Sequence, residues 1–133
     1  MKNKNFFIKD FAGADVKLLT QIVDTIAKEI ADNGRVAVHC RAGNGRTGMV
    51  LAAYFIKYQN YTAPDAIRHM RTLRRFSIET QEQEESLREF ENYLKALGGR
   101  SPPENSTTNR SSSRESSNNK KSANKFLGGC FMN

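Results

Sequence analysis

The sequence predicts an α/β domain with few strands and about four helices, followed by a disordered C-terminal tail. Three observations carry that expectation. Apolar residues recur at three- and four-residue steps in several stretches between Asp15 and Gly98. One short β-branched run, Arg35-Val36-Ala37-Val38-His39-Cys40, reads as a buried strand. From Ser101 the chain turns to Ser, Asn and Lys without an apolar period, so no burial would offset the entropy lost on ordering it. The division is therefore a domain over 1–100 and a basic Ser/Asn-rich tail over 101–133.

Residues 1–14 are irregular, with Phe6, Phe7, Ile8 and Phe11 around Asp10. Asp15 is a fitting N-cap for a first helix whose face is Val16, Leu19, Ile22, Val23, Ile26 and Ile30, and Asn33-Gly34 is a stop. The strand ends at Cys40. A glycine-rich loop leads into an apolar helix over Thr47 to Tyr58, with Met49, Val50, Leu51, Tyr54 and Phe55 inside. Thr62 caps a third helix, with Pro64 in its first turn, Asp65 at its positive end and Ile67, Met70 and Leu73 inward. Ser77 and Glu79 mark the start of a fourth, with Leu87, Phe90, Tyr93, Leu94 and Leu97 as its buried face. A single strand leaves its ladder groups unpaired, so partners are needed from elsewhere.

The 133 residues allow one domain. No apolar run approaches the roughly 18 residues of a spanning helix, and no signal peptide is visible. Cys40 and Cys130 lie in unlike surroundings and form no disulfide framework, as expected of a cytosolic protein. The net charge of +7 is spread over domain and tail, so it does not by itself point to nucleic acid, and no nucleic-acid partner is expected. Arg68, Arg71, Arg74 and Arg75 form one basic cluster, either a solvated helix face or an attractor of an anionic substrate.

The informative stretch is His39-Cys40-Arg41-Ala42-Gly43-Asn44-Gly45-Arg46-Thr47-Gly48. A cysteine ends a strand and an arginine opens a helix, with small residues between. Such a loop curls its N–H groups inward as an anion nest, backed by the helix dipole. Arg41, Ala42, Gly43, Asn44, Gly45 and Arg46 are the candidate phosphate-binding residues, and Arg46 supplies the two-pronged donor. The same field lowers the pKa of Cys40 and makes it a thiolate nucleophile. Thr47 can donate to that sulfur, and His39 buttresses the loop. Asp10 is the candidate general acid, expected to be held neutral by its phenylalanine neighbours; Asp15 is the rival. Glu79, Gln81 and Gln83 lie where a hydrolytic water would need positioning. Gly43-x-Gly45-x-x-Gly48 also matches a dinucleotide fingerprint, but Asp65 sits at a helix start rather than at a second strand end.

Together these residues resemble the H-C-x-x-G-x-x-R-[ST]-G signature of cysteine-dependent protein phosphatases. Phe7-Ile8-Lys9-Asp10-Phe11 is similar to their general-acid loop. Arg74-Arg75-Phe76-Ser77-Ile78-Glu79-Thr80-Gln81-Glu82-Gln83 resembles the R-P-G-S-I-E-T-x-E-Q segment of the small atypical, VHZ-like dual-specificity group, with Arg75-Phe76 in place of Pro-Gly. The resemblance covers residues 6 to about 97. It implies a phosphatase-like three-layer fold truncated at the N-terminus, because family members carry further strands ahead of the general-acid loop. It implies Cys40 as nucleophile, Arg46 as phosphate clamp, Asp10 as general acid and a role for Glu79 or Gln83 at the water. It also implies a phosphorylated protein as substrate, carrying phosphotyrosine and also phosphoserine or phosphothreonine, with no metal and no cofactor. The alternatives are an impaired phosphate-binding fragment, or a phosphatase of inositol lipids or RNA 5′ ends. Inositol-lipid phosphatases of this superfamily carry two lysines where this chain has Arg41 and Asn44. Cys130-Phe131-Met132-Asn133 has C-a-a-X form behind Lys120, Lys121 and Lys125, although Asn is not a usual final residue, so membrane anchoring is a subsidiary expectation.

Overall fold

A computed structural model describes residues 2–98 and, as backbone, 129–132. The elements run β1 (Asn5–Phe6), α1 (Val16–Ala31), β2 (Ala37–His39), α2 (Gly45–Tyr58), α3 (Ala63–Leu73), α4 (Gln81–Ala96) and β3 (Gly129–Met132). The three strands form one parallel sheet in the order β1-β3-β2, with Val38 opposite Cys130 and Asn5 opposite Phe131.

The four helices form where the apolar period places them. Asp15 Oδ2 accepts from the Lys17 amide at 3.1 Å and starts α1. Thr62 Oγ1 accepts from the Asp65 amide at 3.3 Å, with Pro64 in the first turn of α3. The cap of α4 is Thr80, whose Oγ1 accepts from the Gln83 amide at 3.3 Å, and not Ser77 or Glu79 as expected. Ser77 and Ile78 are buried instead, because the segment before α4 packs onto the start of α2.

α2 sits centrally and packs on α1, α3 and α4. Leu19, Ile22, Val23 and Ile26 of α1 meet Met49, Val50, Ala53 and Ile56 of α2 in one core that also takes Ile67, Met70, Leu87 and Phe90. Three residues expected inside lie further out: Leu73 is 64% exposed, Leu97 65% and Tyr93 37%. Each stands near a helix end, where the stripe runs past its neighbours.

The strand partner sought for β2 comes from the far end of the chain. Gly129–Met132 lies between β1 and β2, where the sequence predicts only tail. No local pattern signals it, since its partners are supplied by distant residues. The rest of the expected tail lies outside the described residues. Deleting 129–132 is expected to leave the β2 ladder unpaired on that side and to lower the melting temperature by roughly 5 °C. An unchanged thermal transition, followed by circular dichroism, would show that this strand contributes nothing.

Candidate active site

The site forms where β2 ends and α2 begins. Cys40 is buried, and its Sγ accepts a hydrogen bond from the Gly43 amide at 3.1 Å. That curl requires Gly43 to adopt φ +74°, which a side chain disfavours. Asn44 caps α2 without a side-chain hydrogen bond, so the first amides of the helix are left to partners from outside it. Burial alone pushes the Cys40 thiol up. The Thr47 hydroxyl and amide, the Gly43 amide and the Arg46 charge outweigh it, and the thiol pKa falls below its usual value. Thr47 Oγ1 is fully buried and, although it influences the sulfur, makes no hydrogen bond of regular geometry among the described residues. Thr47→Val is therefore expected to weaken the thiolate. The acid limb of the iodoacetamide alkylation rate of Cys40 should move to higher pH, and an unmoved limb would exclude Thr47 from the effect.

Arg46 is 6% exposed. Its Nη1 donates to the Ile8 carbonyl at 3.0 Å and its Nη2 pairs with Asp10 Oδ1 at 2.8 Å. Both contacts come from residues 8–10, so the arginine of the loop also fixes the expected general-acid segment. That segment is tied to α4 as well: Thr80 Oγ1 donates to the Phe11 carbonyl at 2.9 Å, and the Ala14 amide donates to Ser86 Oγ at 3.1 Å. The apolar enclosure expected around Asp10 is absent. Its side chain is 53% exposed, and Phe7 and Phe11 are 79% and 60% exposed. Ile8 is buried and Phe6 packs against the core, which leaves Asp10 beside Arg46 without an apolar shell.

Glu79 Oε2 accepts from the Gly45 amide at 3.1 Å, and the Glu79 amide donates to Gln83 Oε1 at 2.9 Å. Gln83 is fully buried, and its Nε2 has no partner among the described residues. A Cβ on Gly45 would stand 2.5 Å from Glu79 Oε2 and 2.8 Å from Gln83 Nε2, so only glycine admits this approach. Ile78, at φ +62°, holds the strained turn that aims Glu79 at the loop. Arg71 secures the turn: its Nε donates to the Ser77 carbonyl at 3.3 Å and its Nη2 to the Ile78 carbonyl at 2.9 Å. The sequence missed this task for Arg71, and the Ile8 carbonyl as well, since neither leaves a local pattern. Arg41 and Ala42 are exposed on the loop, His39 is half-buried in β2, and Asp15 is spent on capping. Gln81 pairs with Glu85, away from the sulfur's contacts.

A loop that lowers a thiol pKa and sets an arginine fork beside it is built to receive a phosphate ester, and the fold around it is that of the cysteine-dependent phosphatases. Residues 3–93 match the family described as dual specificity phosphatase, catalytic domain, and the chain belongs to that family. It is similar to mouse protein tyrosine phosphatase domain-containing protein 1, 38% identical over 93 residues, which are 70% of this chain and 12% of that protein. It is also similar to the Schizosaccharomyces pombe CDC14 homolog, 34% identical over 74 residues, covering 56% of this chain and 14% of that one. Among solved structures it resembles Tk-PTP in the active form (TM-score 0.63, 33% identity, 64% of this chain and 58% of that chain). It also resembles PTPMT1 in complex with PI(5)P (TM-score 0.64, 26% identity, 68% and 58%). The chain thus spans a small part of the curated relatives it matches.

Proposed function

We propose that the chain hydrolyses phosphate monoesters on phosphorylated proteins, at phosphotyrosine and also at phosphoserine or phosphothreonine, through a cysteinyl-phosphate. The observation that carries this reading is the Cys40 sulfur held by the Gly43 amide beside an Arg46 whose fork is already met by an anion, the Asp10 carboxylate. The substrate phosphate takes the place of that carboxylate on Arg46. The Cys40 thiolate attacks phosphorus, the S–P bond forms, and the P–O bond to the leaving group breaks. Asp10, released from Arg46, takes a proton from solvent and passes it to the leaving oxygen. Water then attacks the cysteinyl-phosphate, gives its proton to Asp10, and the sulfur leaves as thiolate. Glu79 and the unpaired Gln83 Nε2 stand against the loop where that water is positioned. A nucleophile, an arginine and a carboxylate assembled within one chain favour turnover over a binding-only fragment.

The test is Asp10→Asn. It is expected to slow hydrolysis of alkyl phosphates, whose leaving groups need a proton, by about 10²-fold or more. Activated aryl phosphates should slow far less. Equal slowing of both would remove Asp10 from the acid role. A phosphoinositide substrate is the second reading, favoured by the likeness to PTPMT1, whose solved complex holds PI(5)P. A thiolate nucleophile needs a reducing compartment, so we place the protein in the cytoplasm, as the sequence suggests.

A further inference from the structure

Arg71 of α3 reaches across the connection to α4. Its Nε donates to the Ser77 carbonyl and its Nη2 to the Ile78 carbonyl, and the same Nη2 pairs with Glu84 Oε1 at 2.7 Å. The other oxygen of that carboxylate, Oε2, meets Arg88 Nη2 at 3.4 Å. One guanidinium thus holds the two carbonyls that precede Glu79, and one carboxylate of α4 holds the guanidinium. The turn needs such a hold. Ile78 is β-branched and sits at φ +62°, a conformation that persists where its surroundings enforce it. The turn also lies against α2: a Cβ on Gly48 would stand 2.9 Å from Ser77 Cβ and 3.0 Å from the Ile78 nitrogen. The residue after the strained one is Glu79, whose carboxylate meets the Gly45 amide and whose own amide donates to Gln83 Oε1. That second bond fixes the plane of the Gln83 amide, and with it the direction of the unpartnered Nε2.

We infer that Arg71 and Glu84 are a positioning pair for the second chemical step, holding Glu79 and Gln83 where the water that releases the cysteinyl-phosphate is oriented. The inference rests on the phosphatase reading above and extends it to two residues of α3 and α4 outside the loop. In that step the water oxygen bonds to phosphorus as the S–P bond breaks. The electron pair of that bond returns to sulfur, and the water's proton passes to Asp10. The first step uses the Cys40 thiolate, Arg46 and Asp10, which are held by the Gly43 amide, the Ile8 carbonyl and the ion pair between Arg46 and Asp10. Loosening the turn before α4 therefore acts on hydrolysis of the intermediate and spares phosphoryl transfer to sulfur.

The test is steady-state and rapid-quench kinetics of the full chain with p-nitrophenyl phosphate. Its activated leaving group makes the first step fast, so hydrolysis of the intermediate sets kcat. Arg71→Ala is expected to lower kcat by about tenfold to 10²-fold. KM should fall with it and leave kcat/KM within about threefold of the parent, because kcat/KM reports only the steps through phosphoryl transfer. Acid-quenched samples should show the phosphorylated chain accumulating, and nitrophenolate should appear first in a burst of about one per chain. Glu84→Ala should act in the same direction and more weakly. Glu84→Gln, which keeps an acceptor for Arg71, should recover much of that loss. Thermal unfolding of each variant identifies any that fails to fold. Arg71→Lys, which keeps the charge and loses the fork, carries the test in that case with an intermediate fall in kcat. A pair that merely supported the fold would lower kcat and kcat/KM together, and that outcome overturns the inference. An unchanged kcat with no accumulation of the phosphorylated chain overturns it too. A parent without Cys40-dependent hydrolysis would instead sink the phosphatase reading, and the inference with it.

Discussion

Cys40→Ser is expected to reduce hydrolysis of p-nitrophenyl phosphate by at least about 10⁴-fold while retaining phosphopeptide binding. The physical ground is the ionisation of the side chain. The amides of Gly43 and Thr47, the Thr47 hydroxyl and the Arg46 charge together hold the thiol pKa down against its burial. A serine hydroxyl in the same field stays protonated near neutral pH and offers no comparable nucleophile. The substitution nearly conserves volume at a site 9% exposed, so the fold should persist. Equal loss of turnover and of binding, with a broadened thermal transition, would point to misfolding instead. Turnover within tenfold of the parent would move the nucleophile away from Cys40.

Arg46→Lys should be the second most damaging change. A lysine keeps the charge and loses the planar fork. We expect kcat/KM for aryl phosphates to fall by about 10²- to 10³-fold, because one point charge replaces donors aimed at two phosphate oxygens. Stability should fall as well. Arg46 Nη1 serves the carbonyl of Ile8, which is 3% exposed, and an unmet buried acceptor costs about 1–3 kcal/mol. The ion pair with Asp10 adds less, since that carboxylate is half-exposed and screened by water. Calorimetry and steady-state kinetics on the same preparation separate the two losses. Unchanged affinity for inorganic phosphate would show that Arg46 is a brace for residues 8–10 and not a clamp.

Much of this is legible in the sequence. Helix existence followed from apolar spacing, and the caps Asp15 and Thr62 from short polar side chains that reach amides two or three residues on. The loop from Cys40 to Thr47 is legible because an anion nest makes strong local demands: small residues, a helix start and an arginine at fixed separation. What failed concerned neighbours distant in sequence. Asp10 is expected in an apolar shell because phenylalanines adjoin it, yet Phe7 and Phe11 turn outward while Ile8 and Phe6 turn to the core. The four arginines look alike, yet Arg71 braces a strained turn and Arg74 lies against Gly43 of the loop.

The sequence by itself determined the cysteine that ends β2, the arginine that opens α2, the glycine at Gly43 and the helical frame, because each depends on interactions within a few residues of chain. Only the tertiary structure decided that Asp10 rests on Arg46, that Glu79 approaches the Gly45 amide, and that the strand partner of β2 is Gly129–Met132. Those outcomes depend on which side chains and backbone groups the packing of α4 and the closing of the sheet bring within hydrogen-bonding distance. A local pattern carries no record of that choice, since the energies of burial and pairing that make it are summed over the whole domain.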